Sequence, residues 1–335
     1  MSSLKTGVAY FVRNRDPKRV EQDLLDIKAR GCTYVVHFMT EFDTVFFPES
    51  VKEICQITRD IGLEIYLDPW GLGGFICSKY SLFPLDHPSE CQIRSDGTLL
   101  MQACPNSEIF AKHVERWLDK AAEAHSQYIF WDEPHLFFEN STDGTEPQWA
   151  CRCTRCQGQF ADKYGYPMPV EATPDVYEFR QETLYRFFHR VTTMAHHRGL
   201  KNSLCLLPLR SDEHGFSDWD RFCSLPHVDI FGTDPYWYFV DAEPKQYVTP
   251  YTEKVLDLCQ KHQKEPHIWL QGFRVPKSKE NEIAIAGLTV YELGIRNIAV
   301  WVDKYGTGDN NASGDPEKVW STTGDLYRFL HTLGK

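Results

Sequence analysis

Two constellations in this chain have residue types and spacings that could do chemistry. The first is Asp132-Glu133, which closes the apolar run Ile129-Phe130-Trp131 and precedes Pro134. Adjacent carboxyls at the end of a buried strand suit general acid catalysis, because burial and like-charge repulsion raise a carboxyl pKa and keep a proton available near neutrality. Glu133 is the expected proton donor. Asp132 has two open roles: it shares the desolvated site and raises that pKa, or it turns aside to hold a substrate hydroxyl or an acetamido nitrogen. The second constellation, Cys151-x-Cys153-x-x-Cys156, places three sulfurs on a tight turn with a spacing suited to tetrahedral zinc. A fourth ligand is needed, and Cys104 in Ala103-Cys104-Pro105-Asn106-Ser107 is the first candidate, Cys91 the second. Four sulfurs would close the coordination sphere, so this structural zinc would pin a loop and leave no position for an activated water.

The elements that must position these groups are legible in the hydrophobic pattern. Short apolar runs at 7–12, 33–38, 64–67, 128–131, 203–207, 228–233, 267–270 and 297–302 alternate with amphipathic stretches at 17–30, 48–61, 108–124, 177–198, 218–224, 249–264, 280–293 and 322–332. Runs such as Tyr34-Val35-Val36-His37-Phe38 are apolar almost throughout, as burial on both faces of a parallel sheet requires. Gly31, Gly62, Gly199 and Gly294 stand between a helical stretch and the next strand, where helices stop. Eight such units predict a single-domain (β/α)8 TIM barrel over residues 1–335. An open doubly wound sheet would carry a glycine-rich phosphate cradle after its first strand, and Arg13-Asn14-Arg15-Asp16-Pro17 is no such cradle. Two connections are long: 134–175 after the fourth strand, which carries the cysteines and is the expected zinc-stapled insertion, and 306–316 after the eighth. Both belong to the rim on which barrel active sites are built.

Residues at or just past strand ends should face the mouth of such a barrel. They are Tyr10, His37, Asp68, Trp70, His135, Tyr236, Trp237, Gln271, Arg274, Trp301 and Lys304, all expected to touch substrate, with the acids Asp132, Glu133, Asp234 and Asp303 among them. Glycoside hydrolysis asks for a carboxylic acid on the leaving oxygen and a second group for the oxocarbenium-like centre. A mouth of acids and aromatics supplies both. The net charge of −11, without a Lys/Arg cluster, disfavours nucleic acid and anionic membranes as partners. Aromatic residues make up 14% of the chain and offer stacking faces for sugar rings, so a carbohydrate is the expected partner. No basic leader or long apolar segment is visible, and eleven scattered cysteines fit a reducing compartment, so the expected location is cytoplasmic. A homo-oligomer is compatible with all of this.

Cys104-Pro105-Asn106-Ser107, Trp131-Asp132-Glu133-Pro134 and the segment from Cys151 to Gly165 together resemble the catalytic barrel of the family 42 β-galactosidases. The resemblance covers about sixty residues and the barrel order. It implies zinc on Cys104, Cys151, Cys153 and Cys156 and Glu133 as acid/base. Two positions depart from that pattern. The retaining clan has a nucleophilic glutamate ending the seventh strand, where this chain has Gln271, and the asparagine before the acid is replaced by Asp132. Asp-Glu-Pro looks more like hexosaminidases that use substrate assistance. The chain is also shorter than a family 42 enzyme. The expectation is a glycoside hydrolase with Glu133 as general acid. Either Asp234 or Asp303 activates water in an inverting reaction, or Asp132 steers a 2-acetamido group in a substrate-assisted one. Retention with Asp234 or Asp303 as nucleophile is the alternative within hydrolases. A catalytically silent carbohydrate-binding barrel is the alternative outside them.

Overall fold

The computed structural model describes residues 3–10, 16–78, 80–140, 146–208, 211–302 and 311–334. The strands are β1 (Lys5–Tyr10), β2 (Tyr34–Phe38), β3 (Glu64–Asp68), a hairpin of β4 (Cys91–Ile93) and β5 (Leu99–Ala103), β6 (Tyr128–Asp132), a short pair of β7 (Phe138–Glu139) and β8 (Gln148–Trp149), β9 (Lys201–Leu206), β10 (Ile230–Thr233), β11 (Glu265–Gln271) and β12 (Asn297–Trp301). Eight of them close a barrel in the order β1-β12-β11-β10-β9-β6-β3-β2, every pair parallel. The fold is the expected (β/α)8 barrel. Its first strand begins at Lys5, earlier than the apolar run suggests.

The surrounding helices occupy the expected stretches: Pro17–Ala29, Pro48–Ile61, Glu108–Glu123, Pro174–His196, Trp219–Cys223, Pro244–His262, Asn281–Leu293 and Pro316–Leu333. Proline opens five of them, where its fixed φ is already helical and its missing N–H would have no intrahelical partner. No helix among the described residues is long and apolar enough to cross a membrane.

The connection after β3, residues 69–107, is a long one that the hydrophobic pattern does not reveal. It holds a 3-10 turn at Leu72–Gly74, a helix at Phe83–Asp86 and the β4/β5 hairpin. It folds back on itself through glycines. A Cβ on Gly71 would lie 2.3 Å from the Tyr80 carbonyl oxygen, and one on Gly74 would lie 2.4 Å from that of Met101. In the connection after β6, Thr154–Tyr164 forms a further helix.

Side chains alternate between the lumen and the helical layer along every strand. Phe38, Asp68, Asp132, Asp234, Gln271 and Trp301 end up inward at the C-terminal mouth. Below them lie Ala9, Val36, Phe130, Cys205, Trp269 and Ala299, and below those the rings of Tyr34, Tyr66 and Tyr128. The same phase turns two expected substrate contacts away. Tyr10 donates to Asp23 Oδ2 at 2.9 Å on the helix Pro17–Ala29, and His37 Nε2 pairs with Thr58 Oγ1 at 2.9 Å on the helix Pro48–Ile61. Both are buried between barrel and helix, and desolvation holds His37 neutral with a pKa of about 3. Trp237 is likewise buried outside the lumen, its Nε1 donating to Glu282 Oε2 at 3.1 Å. None of these three belongs to the mouth.

Candidate active site

Asp68, Asp132 and Asp234 leave the ends of β3, β6 and β10 on the inward face and are 0%, 4% and 2% exposed. Strand alternation alone would turn Glu133 outward, since its neighbour Asp132 points in. The backbone of Glu133 instead adopts φ +43°, a left-handed conformation that costs a non-glycine residue about 1–3 kcal/mol. Its N–H donates to the Cys205 carbonyl at 3.2 Å, and Nδ1 of His135 lies 2.6 Å from the Glu133 carbonyl oxygen. The turn delivers the Glu133 carboxyl back into the mouth. There it acts electrostatically on Asp234, Asp68 and Asp132.

Burial first, and then the negative neighbours, push all three aspartates well above the usual carboxylate range. Asp132 and Glu133 act on Asp68, and Glu133 acts on Asp132 against a hydrogen bond from the Cys77 thiol. Glu133 and Asp132 act on Asp234. Both oxygens of Asp68, Oδ2 of Asp132 and Oδ1 of Asp234 have no hydrogen-bond partner among the described residues. A buried polar atom left so costs about 1–3 kcal/mol. Acceptors and donors of this kind, gathered at the C-terminal end of a barrel, can pair with the hydroxyls of a ligand.

These raised values set the sign of a pH dependence. Each aspartate binds its proton more tightly folded than unfolded, so its stabilisation is fully present below the ordinary value of 3.8. It is lost as pH climbs from there toward the folded-state pKa, at about 1.4 kcal/mol per unit and group. Asp68→Asn, which cannot ionise, is therefore expected to raise the thermal unfolding midpoint by a few degrees at pH 8 and by less at pH 4, while impairing ligand binding. Melting curves at the two pH values check this; a midpoint that falls at pH 8 would contradict the assigned protonation.

Aromatic rings wall the mouth. Trp269 and Trp301 meet edge to face at 5.2 Å, Trp301 and Phe38 lie tilted by 37° at 5.4 Å, and Phe38 stacks on Trp70 at 5.6 Å. Tyr236 packs against Phe273 at 5.0 Å and faces the carboxyls: burial, followed by the charges of Asp234 and Glu133, raises its phenol pKa. Arg274 is exposed at the rim, donating to Asn311 Oδ1 at 2.9 Å with its guanidinium over Phe239. Asp303 and Lys304 lie outside the described residues. Gln271 is fully buried and both ends of its amide are engaged by backbone. Oε1 accepts from the Tyr238 N–H at 2.9 Å and Nε2 donates to the Phe273 carbonyl at 3.1 Å. A glutamate there would set a carboxylate against that carbonyl, so the residue that departs from the retaining pattern is integrated into the scaffold as an amide.

Several mouth residues escape the sequence reading, Phe38 and Phe273 among them. Trp269 and Cys205 share the inward phase of Gln271 and Asp132, a signal the strand alternation does contain. Cys77 does not announce itself at all. It lies on the connection after β3, with φ +53°, and reaches Asp132 only because that connection folds over the mouth.

The second constellation is assembled as expected. Sγ atoms of Cys104, Cys151, Cys153 and Cys156 all lie within 4.8 Å of one another, and all four residues are buried. Cys104 to Cys156 is 3.5 Å and Cys153 to Cys104 is 3.8 Å. Disulfide sulfurs would be about 2.05 Å apart. A tetrahedron with metal–sulfur arms of about 2.3 Å has edges of about 3.8 Å, so this donor set fits a metal ion. Asn106 Nδ2 donates to Cys156 Sγ at 3.4 Å, and the Arg155 guanidinium beside Cys104 offsets the negative charge of gathered thiolates. Cys91 is not part of the group; its thiol donates to the His87 carbonyl at 3.6 Å. Cys104 ends one long connection and the other three cysteines begin the middle of the second, so the group joins the two loops that frame the mouth.

No family model matches the chain, and no curated protein does. Solved structures do match. The catalytic domain of β-amylase from Paenibacillus polymyxa aligns with a TM-score of 0.66 at 11% identity, over 90% of this chain and 93% of that one. A β-galactosidase from the psychrophilic Marinomonas ef1 aligns with a TM-score of 0.71 at 13% identity. That match covers 98% of this chain, which spans 60% of the galactosidase. An endo-1,4-β-mannanase from Rhizomucor miehei gives a TM-score of 0.63 at 9% identity, over 98% and 95%. At these identities the likeness is one of fold, the single (β/α)8 barrel.

Proposed function

We propose that this protein is a glycoside hydrolase that uses Glu133 as general acid, with a structural zinc on Cys104, Cys151, Cys153 and Cys156. The observation that carries this reading is the convergence of Glu133 with three buried aspartates in an aromatic-walled barrel mouth, with aspartate oxygens free to bind hydroxyls. The barrels of similar shape, named as an amylase, a galactosidase and a mannanase, agree with it.

Glu133 would deliver a proton to the leaving oxygen. Carboxyls placed across a sugar ring stand about 5–5.5 Å apart in retaining enzymes and about 6.5–9.5 Å apart in inverting ones. Asp234 lies beside Glu133, whose side chain acts on its proton. This favours Asp234 as the partner that orients the proton over Asp234 as a nucleophile or base. The developing cation is then met either by a substrate 2-acetamido group held by Asp132 or by a water activated from Asp303. When bound, the zinc supplies only cross-linking of the two loops.

Proton NMR of the first-formed product from a panel of natural and N-acetylated glycosides separates the routes. Substrate assistance gives the starting anomer and confines turnover to N-acetylated sugars, whereas direct displacement by water gives the opposite anomer. Absence of turnover across the panel by fully metallated protein would sink the hydrolase reading. It would leave the silent carbohydrate-binding barrel, which the scaffold role of Gln271 favours.

A further inference from the structure

The rings at the mouth do not stop at the carboxyls. Phe38 stacks on Trp70 with centroids 5.6 Å apart and planes 17° apart, and Trp70 stacks on Tyr80 at 6.2 Å and 27°. Trp269, Trp301, Phe38, Trp70 and Tyr80 thus form one continuous line from the lumen to solvent. Burial falls along it: Trp269 is 1% exposed, Trp301 9% and Tyr80 81%. Tyr80 contributes almost nothing to the core, yet its loop is firmly held. The buried carboxylate of Glu41 accepts from the N–H of Gly73 at 2.7 Å before it, and after it from the hydroxyl of Ser81 at 2.8 Å and the N–H of Phe83 at 3.0 Å. The close approach at Gly71 is to the carbonyl of Tyr80 itself. An exposed aromatic ring on a preorganised loop loses little entropy when a flat apolar face settles on it, and pyranose rings have such a face.

We infer that Trp70 and Tyr80 form an outer saccharide subsite, continuous with the mouth, so that the substrate is an oligosaccharide whose chain extends out over the loop after β3. The inference rests on the glycosidase reading and names the length class of its substrate. Stacking on the outer rings adds binding energy remote from the reacting bond, which lowers Kd for longer chains and leaves the shortest ones unaffected.

The test uses titration calorimetry on full-length zinc-loaded Glu133→Gln protein, so that no ligand is consumed. The probes are β-1,4-linked oligomers of glucose, mannose, galactose and N-acetylglucosamine, from one to five units. For the series that binds, affinity is expected to rise by about tenfold once the chain reaches the outer rings. Adding Tyr80→Ala should erase that gain and Tyr80→Phe should keep it, because the face of the ring binds and its hydroxyl does not. Unchanged melting of both variants shows that the loop is intact. Equal affinity for short and long oligomers, or an undiminished gain in Tyr80→Ala, overturns the subsite while the hydrolase reading stands on turnover of the wild-type protein. Failure of every saccharide to bind, together with absence of turnover, overturns both.

Discussion

Glu133→Gln is expected to lower kcat on a natural glycoside by about 10²–10⁴-fold while leaving substrate affinity close to that of the parent protein. Glutamine keeps the volume and the polar contacts of the side chain but cannot donate the proton that the leaving oxygen needs as the bond breaks. The loss therefore belongs to the transition state and should appear in kcat. Activated aryl glycosides, whose phenolate leaves without protonation, should suffer least. Steady-state kinetics on one natural and one dinitrophenyl substrate check both statements, and an equal loss on the two would remove Glu133 from the acid role. The position also predicts that Glu133→Gly will not rescue activity even though it relieves the left-handed backbone at φ +43°. The strain is there to turn the carboxyl inward.

Cys153→Ser is expected to lose about one zinc per chain and to lower the thermal midpoint by on the order of 10 °C, since structural zinc stabilises through several kcal/mol of ligand binding. The four sulfurs tie residues 69–107 to residues 134–175, and the first of these connections carries Cys77, Trp70 and Tyr80 over the mouth. Activity should therefore fall with the metal, although none of these four sulfurs belongs to the mouth, and the surviving activity should show a raised KM and a flattened dependence on chain length. Cys91→Ser, outside the group, should keep the zinc. Elemental analysis of protein purified without chelators decides the matter; no stoichiometric zinc, or retention of it by Cys153→Ser, would overturn the assignment.

Much of this protein is determined locally and can be taken from the chain alone. Apolar runs long enough for a strand and amphipathic runs long enough for a helix, separated by glycine stops such as Gly62 at φ +81° and Gly294 at φ +117°, admit little besides a parallel barrel. The Cys151-x-Cys153-x-x-Cys156 turn is local as well. Even Cys104, 52 positions from Cys156, is traceable because four soft ligands need each other to hold a metal.

What the tertiary structure decided is direction. A strand has two faces, and which one looks into the barrel depends on its register against both neighbours, which no single run contains. Asp68 and Trp269 therefore point in, while Tyr10 and His37, equally near the mouth in sequence, point out to the helices. Glu133 escapes its own alternation through one left-handed residue, and Gln271 reveals itself as scaffold only when the backbone of Tyr238 and Phe273 folds around its amide. The loop that brings Cys77 and Tyr80 to the site is specified by contacts with Glu41, which lies outside it, and by the close approach of its own Gly74 to Met101. Periodicity reports how much of a residue is buried; only closure of the barrel settles against what.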